Sequence, residues 1–145
     1  LAIFANRYLN NKPPLIFEDG EQQRDFVSVY DVARACRLAL ESDKSANEVF
    51  NIGSGNSYTV AGIAEEMGKA VGKEYLQPEI TGKYRVGDIR HCYADITKAK
   101  ELLGYQPQVD FQQGLEELAS WLSGQSSSDH VEEASSELAS RGLTI

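Results

Sequence analysis

Apolar positions along the chain fall into short blocks whose spacing switches between helical and strand periods. Ile3, Phe4 and Tyr8 recur at helical spacing within Leu1 to Asn11, and Pro13-Pro14 stops the run. Leu15-Ile16-Phe17 is a brief apolar run suited to a strand, after which Glu18-Asp19-Gly20 supplies turn chemistry. Asp25 to Val29 alternates loosely and is rich in β-formers, which predicts a second strand. Asp31 is the expected cap of a helix to about Glu41, with Val32, Ala35, Cys36 and Ala39 on its apolar face. Val49 to Ile52 predicts a buried strand that ends on Gly53-Ser54-Gly55. Thr59 then caps a helix carrying Val60, Ile63, Ala64, Met67 and Val71 on one face, closed by Gly72.

Tyr75 to Ile80 reads as extended, and a short helix from Asp95 or Thr97 ends at Gly104. Asp110 and Gln113 form a D-x-x-Q capping box for a helix with Phe111, Leu115, Leu118 and Leu122 on one stripe, ended by Gly124. Beyond Gly124 the pattern weakens: Gln125 to Ile145 holds six serines, four acids and one arginine among scattered apolar residues. This reads as a mobile or loosely docked tail with a weak helix through Val131, Ala134 and Leu138, capped by Asp129 and Glu132.

At 145 residues the chain suffices for one domain with a real core. A formal net charge of −8 argues against nucleic acid or an anionic membrane as the main partner. It leaves room for a small anionic ligand held by local arginines. The two cysteines, Cys36 and Cys92, have no metal-ligand spacing and make no disulfide framework, so both are expected reduced in a cytoplasmic protein. No apolar run approaches the ~20 residues of a membrane span. The opening Leu1, inside an amphipathic pattern with no cap before it, reads as a piece of a longer protein.

Against this acidic background, Tyr84 to Asp95 gathers Arg85, Asp88, Arg90, His91 and Asp95 around Gly87, with neither a helical nor a strand period. Such a stretch is either a solvated loop or the wall of a site for an anionic, polyhydroxylated ligand. Arg90 pairing with Asp95 accounts cheaply for that arginine and for His91. Cys92 and Tyr93 read as packing residues, and Asp95 is most simply a helix cap.

Two other motifs point elsewhere. Gly53-Ser54-Gly55 has the start of a dinucleotide fingerprint, but Tyr58 stands where the third glycine belongs, so a tight turn is the better reading. Tyr8-x-x-x-Lys12 has the spacing of an oxidoreductase pair, yet Lys12 abuts the Pro-Pro stop and has no rigid helix beneath it.

Taken in order, Gly20 to Ala33 (GEQQRDFVSVYDVA), VFNIGSG, RVGD (Arg85 to Asp88), ADITKAKELLGYQP and the D-F-x-x-G-L helix resemble the C-terminal half of the extended short-chain dehydrogenase/reductases acting on nucleotide sugars. The likeness is greatest to the UDP-glucose 4-epimerase branch and its dTDP-sugar relatives, and it covers about Leu1 to Leu122. It implies an α/β fold that is the C-terminal part of an extended Rossmann-type enzyme, a small mixed sheet with helices, its N-terminal dinucleotide-binding half absent. Residues 1–124 are then the substrate-binding portion and 125–145 an appended tail.

In the family the arginine of G-x-x-x-R-D-F and that of R-x-G-D grip the diphosphate from two sides, which here implies Arg24 and Arg85. The aspartate of R-x-G-D, Asp88, accepts a ribose hydroxyl, and Phe26 matches an aromatic, ligand-facing position. The chemistry is sound on its own terms: planar guanidinium groups suit phosphate oxygens, and a carboxylate suits a vicinal diol. Arg24 beside Asp25 also fits a surface ion pair, and the Arg85–Asp88 spacing also fits an ordinary loop.

The resemblance further implies NAD, held mainly by the absent half, which would also carry the Tyr-x-x-x-Lys pair. The expected function is nucleotide-sugar binding within an NAD-dependent 4-epimerase, inactive without its other half and homodimeric when whole. A dehydratase or decarboxylase of the same family, or a non-catalytic binding module, are the alternatives. Strands cut off from the N-terminal sheet would expose apolar faces, so the isolated chain is expected to be marginally stable or to associate.

Overall fold

A computed structural model describes residues 1–126 and 128–144. They form two compact units, each built from segments distant in sequence: Leu1–Gln22, Thr59–Arg90 and Leu115–Ile145 make the first, Gln23–Tyr58 and His91–Gly114 the second.

In the first unit, α1 (Ala2–Leu9) packs on α3 (Val60–Ala70). Tyr8, fully buried, lies over Gly68, where an added Cβ would sit 2.9 Å from the phenol oxygen. Glycine there lets the two helices approach, and the Tyr8 hydroxyl donates to the Ala64 carbonyl at 2.9 Å. Thr59 caps α3 by accepting from the Gly62 N–H, and Ile63, Ala64 and Met67 are its buried face, as the spacing predicts. Two-residue strands β1 (Leu15–Ile16) and β4 (Glu79–Ile80) pair in parallel, Leu15 opposite Glu79. The body of α5 (Phe111–Ser123) from Leu115 onward buries Leu115 and Ala119, and α6 (Val131–Ser140) follows.

The second unit has its core at Ala35, Ile96, Ala99, Leu103 and Tyr105, with Phe50, Ile52 and Ala94 packed against it. α2 (Val29–Glu41) and α4 (Thr97–Leu103) supply most of it, and α4 ends on Gly104 in the left-handed region at φ 67°. β2 (Gln23–Arg24) pairs in parallel with β5 (His91–Cys92). The other neighbour of β2 is β3 (Tyr58–Thr59), across which the division between units falls.

Several expectations need correction. The strand assigned to Asp25–Val29 lies earlier, at Gln23–Arg24. Asp25 does its bonding through its carboxylate, which accepts the backbone N–H groups of Ser54 at 2.8 Å and Ala94 at 3.3 Å. The α2 cap is Ser28, not Asp31: the Ser28 hydroxyl accepts the Tyr30 N–H, and Asp31 is buried in the first turn. Val49–Ile52 forms no strand; with no ladder partner among the described residues, Val49 stays 82% exposed while Phe50 and Ile52 turn onto the helical core. Cys36, Cys92 and Tyr93 are exposed rather than packed; on α2 it is Ala35, not Cys36, that takes the inward position. The stretch from Tyr84 to Asp95 contains a strand after all, at His91–Cys92.

Candidate functional site

Arg85 and Asp88 belong to the first unit, on an exposed bend where Gly87 takes φ 83°, a conformation glycine adopts without strain. The Asp88 N–H closes the bend on the Arg85 carbonyl at 3.1 Å, and the Asp88 carboxylate accepts the Ile89 N–H at 2.9 Å. Both flanks of the bend are tied to one turn. The Glu18 N–H donates to the Lys83 carbonyl at 2.7 Å, and Arg90 donates to Glu18 and Asp19, each at 2.7 Å. Hydrogen bonding to Arg90 is the main reason the Asp19 carboxyl lies below its ordinary range. Arg90 therefore pairs with Glu18 and Asp19, not with Asp95, whose carboxylate accepts the Thr97 N–H at 2.9 Å while Ile96 holds the N-cap position of α4.

Arg24 and Phe26 belong to the second unit. Arg24 is half-buried on β2 and donates to the Gln23 carbonyl at 2.9 Å. The β2–β5 register sets the Gln23 N–H against His91 Nδ1 at 3.3 Å. Phe26 lies in a cleft of about 390 Å³ lined also by Tyr58, Phe111, Lys100 and Asp110. Its ring meets Phe111 edge-on with centroids 6.1 Å apart, while Tyr58 stacks on Phe111 at 4.2 Å. Burial raises the Tyr58 phenol, and the charges of Asp110 and Asp25 raise it further.

Sequence reasoning passed over this aromatic trio, because its members come from three separate segments. It also missed Asp25 and Asp31 as interior anchors. Asp31 accepts the backbone N–H groups of Gln108 and Val109 and pairs with Arg34 at 2.9 Å. The available signal was an acid at an inward helical position, beside Ala35.

Neither redox motif has the surroundings its chemistry requires. An added Cβ at Gly53 would lie 2.2 Å from the Asp25 carboxylate, so this glycine makes room for an acid. The Ser54 N–H is already donated to that acid. A turn sealed by a carboxylate does not fit a dinucleotide pyrophosphate. Burial raises the Tyr8 phenol, with Glu65 adding to it, the opposite of what proton abstraction needs. Lys12 is taken up by Asp129 at 3.0 Å. Neither motif fits NAD as folded here, and no hydride-transfer step is assigned to either. Tyr8→Phe should cost about 1 kcal/mol in urea denaturation, the worth of one hydrogen bond.

Among the described residues, no helix is long and apolar enough to cross a membrane, and no group of three or more His, Cys, Asp or Glu is arranged to hold a metal ion.

Comparison with known proteins places these features. Residues 2–118 match the family model described as GDP-mannose 4,6 dehydratase. A UDP-glucose 4-epimerase of Thermotoga maritima, solved with UDP-glucose, is 40% identical with a TM-score of 0.75, over 83% of this chain and 38% of its own. A UDP-glucuronic acid 4-epimerase of Bacillus cereus, solved with UDP-glucuronic acid and NAD, is 33% identical at TM-score 0.74, over 83% and 38%. The dTDP-L-rhamnose 4-epimerase of Burkholderia thailandensis is 33% identical over 122 residues, 84% of this chain and 33% of that protein.

The chain belongs to the nucleotide-sugar epimerase and dehydratase family of extended short-chain dehydrogenase/reductases, and its α/β fold matches a C-terminal part of those enzymes. It spans little more than a third of the length of these relatives.

Proposed function

We propose that this chain is the nucleotide-sugar-binding portion of an NAD-dependent sugar 4-epimerase, acting on a UDP- or dTDP-sugar. Arg24 and Arg85 hold the diphosphate, Asp88 accepts a ribose hydroxyl, and Phe26 faces the ligand. The observation that carries this reading is the Arg85–Asp88 bend, exposed at its tip yet fixed on both sides through Lys83 and Arg90 to Glu18–Asp19. A bend held that way presents a guanidinium and a carboxylate at a set separation, which suits a diphosphate joined to a diol.

NAD and the proton-transferring tyrosine are assigned to the remaining length of a parent protein, which would be the active species, a cytoplasmic homodimer; the present chain alone would be inactive. Bound there, NAD would take the hydride from the sugar carbon and return it. This chain's share is to bind and orient the nucleotide. In support, the relatives of known structure include epimerases solved with UDP-sugars and with NAD.

A dehydratase is the second reading, favoured by the description of the matched family model and by likeness to a dTDP-glucose 4,6-dehydratase of Bacillus anthracis, 27% identical. Product analysis of the full-length parent with UDP-glucose and dTDP-glucose separates them: an inverted C4 hydroxyl marks the epimerase, a 4-keto-6-deoxy sugar the dehydratase. Titrating both nucleotide sugars into the parent and its Arg85→Ala variant tests the site. Loss of a charge-assisted contact should weaken binding about tenfold to hundredfold. Unchanged affinity would remove Arg85 from the site.

A further inference from the structure

We propose that the segment after α5 is a strap that positions the ligand-binding bend, with Leu143 and Thr144 holding the backbone at Arg85–Val86 and an ionic lock fastening the near end of the strap to α1. The inference rests on the reading of Arg85 and Asp88 as ligand contacts. The family match covers residues 2–118, so α6 and the residues after it lie outside the matched region.

The near end is built as a fixed joint. Arg7 is a buried cation, 4% exposed, whose Nε donates to the Pro13 carbonyl at 2.9 Å. Its Nη1 lies 3.2 Å from Asp129 and 2.5 Å from Glu132, and Lys12 adds a second cation 3.0 Å from Asp129. The Asp129 side chain is only 3% exposed. A carboxylate withdrawn from water between two cations is costly to separate from them, unlike a solvated surface pair. Asp129 also accepts the Val131 N–H at 3.2 Å, so the lock and the start of α6 share one residue.

The far end reaches the bend itself. After α6, Gly142 at φ 65° reverses the chain, and the Leu143 N–H donates to the Leu138 carbonyl at 3.0 Å. The Leu143 carbonyl then accepts the Val86 N–H at 3.0 Å, and Thr144 lies antiparallel to Arg85. Leu143–Thr144 is thus a one-bridge strand laid along the turn that carries both ligand residues. It occupies the backbone while the Arg85 and Asp88 side chains remain exposed. The strap therefore orders the bend in advance and leaves the groups that meet the ligand uncovered. Ordering before binding removes part of the entropy loss on association.

The test uses the full-length protein, a truncation ending at Gly124, and Asp129→Asn, with two readouts. Without ligand, both variants should raise amide hydrogen exchange at Val86 about tenfold or more. Both should weaken UDP-glucose binding about threefold to tenfold by calorimetry, and neither should weaken it further in an Arg85→Ala, Asp88→Ala background. Unchanged exchange at Val86 in both variants overturns the strap. Faster exchange with unchanged or tighter binding, in a protein whose affinity does depend on Arg85, overturns the positioning role. If Arg85→Ala itself leaves affinity intact, the site reading fails, and Val86 exchange still decides whether the strap exists.

Discussion

Asp31→Ala should be among the most damaging single substitutions in the chain, lowering stability by about 3–5 kcal/mol. Asp31 is 1% exposed and compensates for its burial completely through local partners. Both carboxylate oxygens lie within reach of the Gln108 N–H, at 3.0 and 3.1 Å, and one also takes the Val109 N–H at 3.1 Å. The Arg34 guanidinium, one helical turn along, pairs with Asp31 at 2.9 Å, donates to the Gln106 carbonyl and lies over the Tyr105 ring. Alanine would leave two backbone donors and a cation without their acceptor, and the loop Gln106–Val109 would lose its tie to α2. Since whole domains are stable by only about 5–15 kcal/mol, a loss of this size brings much of the population close to unfolding. Urea denaturation of wild type, Asp31→Ala and Asp31→Asn measures it. Asparagine keeps an acceptor but not the charge, so it should fall between the other two. A loss below about 1 kcal/mol for alanine would show that water replaces the carboxylate at no great cost.

What the sequence disclosed and what it concealed divide along a physical line. Elements whose signals are local were legible: the Thr59 cap, the Asp110 carboxylate on the Gln112 and Gln113 N–H groups, the Gly104 stop and the Ile63–Ala64–Met67 face all stand where spacing put them. Asp25 to Asp31 was misread in two places because side chains there substitute for the interactions that patterns report. A carboxylate takes the N–H groups that a ladder would take, and a serine three residues upstream displaces an aspartate as the cap. For the proposed site, the ordered motifs named Arg85 and Asp88. They could not show that Arg90 braces the bend through Glu18 and Asp19, since nothing in the spacing of residues so far apart in the chain records their meeting. The segment after Gly124 was equally opaque: serine-rich composition hides the burial of Asp129 against Arg7. Ser127 and Ile145 of that segment lie outside the described residues.

Gly53→Ala is the sharper experiment, because it separates a packing glycine from a nucleotide-binding one. The new methyl would stand 2.2 Å from an Asp25 carboxylate oxygen and 2.7 Å from the Ala94 Cβ, distances that real side chains do not sustain. Either Asp25 swings away and abandons the N–H groups of Ser54 and Ala94, or the backbone at Gly53 shifts and loosens the Tyr105 hydroxyl from the Gly53 carbonyl, now at 2.9 Å. Overpacking of about 1–3 kcal/mol and the loss of at least one interior hydrogen bond, a further 1–2 kcal/mol, give about 2–5 kcal/mol in total. A double-mutant cycle with Asp25→Ala assigns the cause. If the acid is what excludes a side chain at residue 53, the double variant should be less damaged than the sum of the singles by about 1 kcal/mol or more, because the carboxylate that met the methyl is gone. Strict additivity would mean that Ala94 alone sets the limit. If instead the glycine served a bound dinucleotide, Gly53→Ala would leave the unfolding midpoint of the ligand-free protein unmoved and act only on cofactor affinity. The Asp25 carboxylate against that position makes the first outcome the expected one.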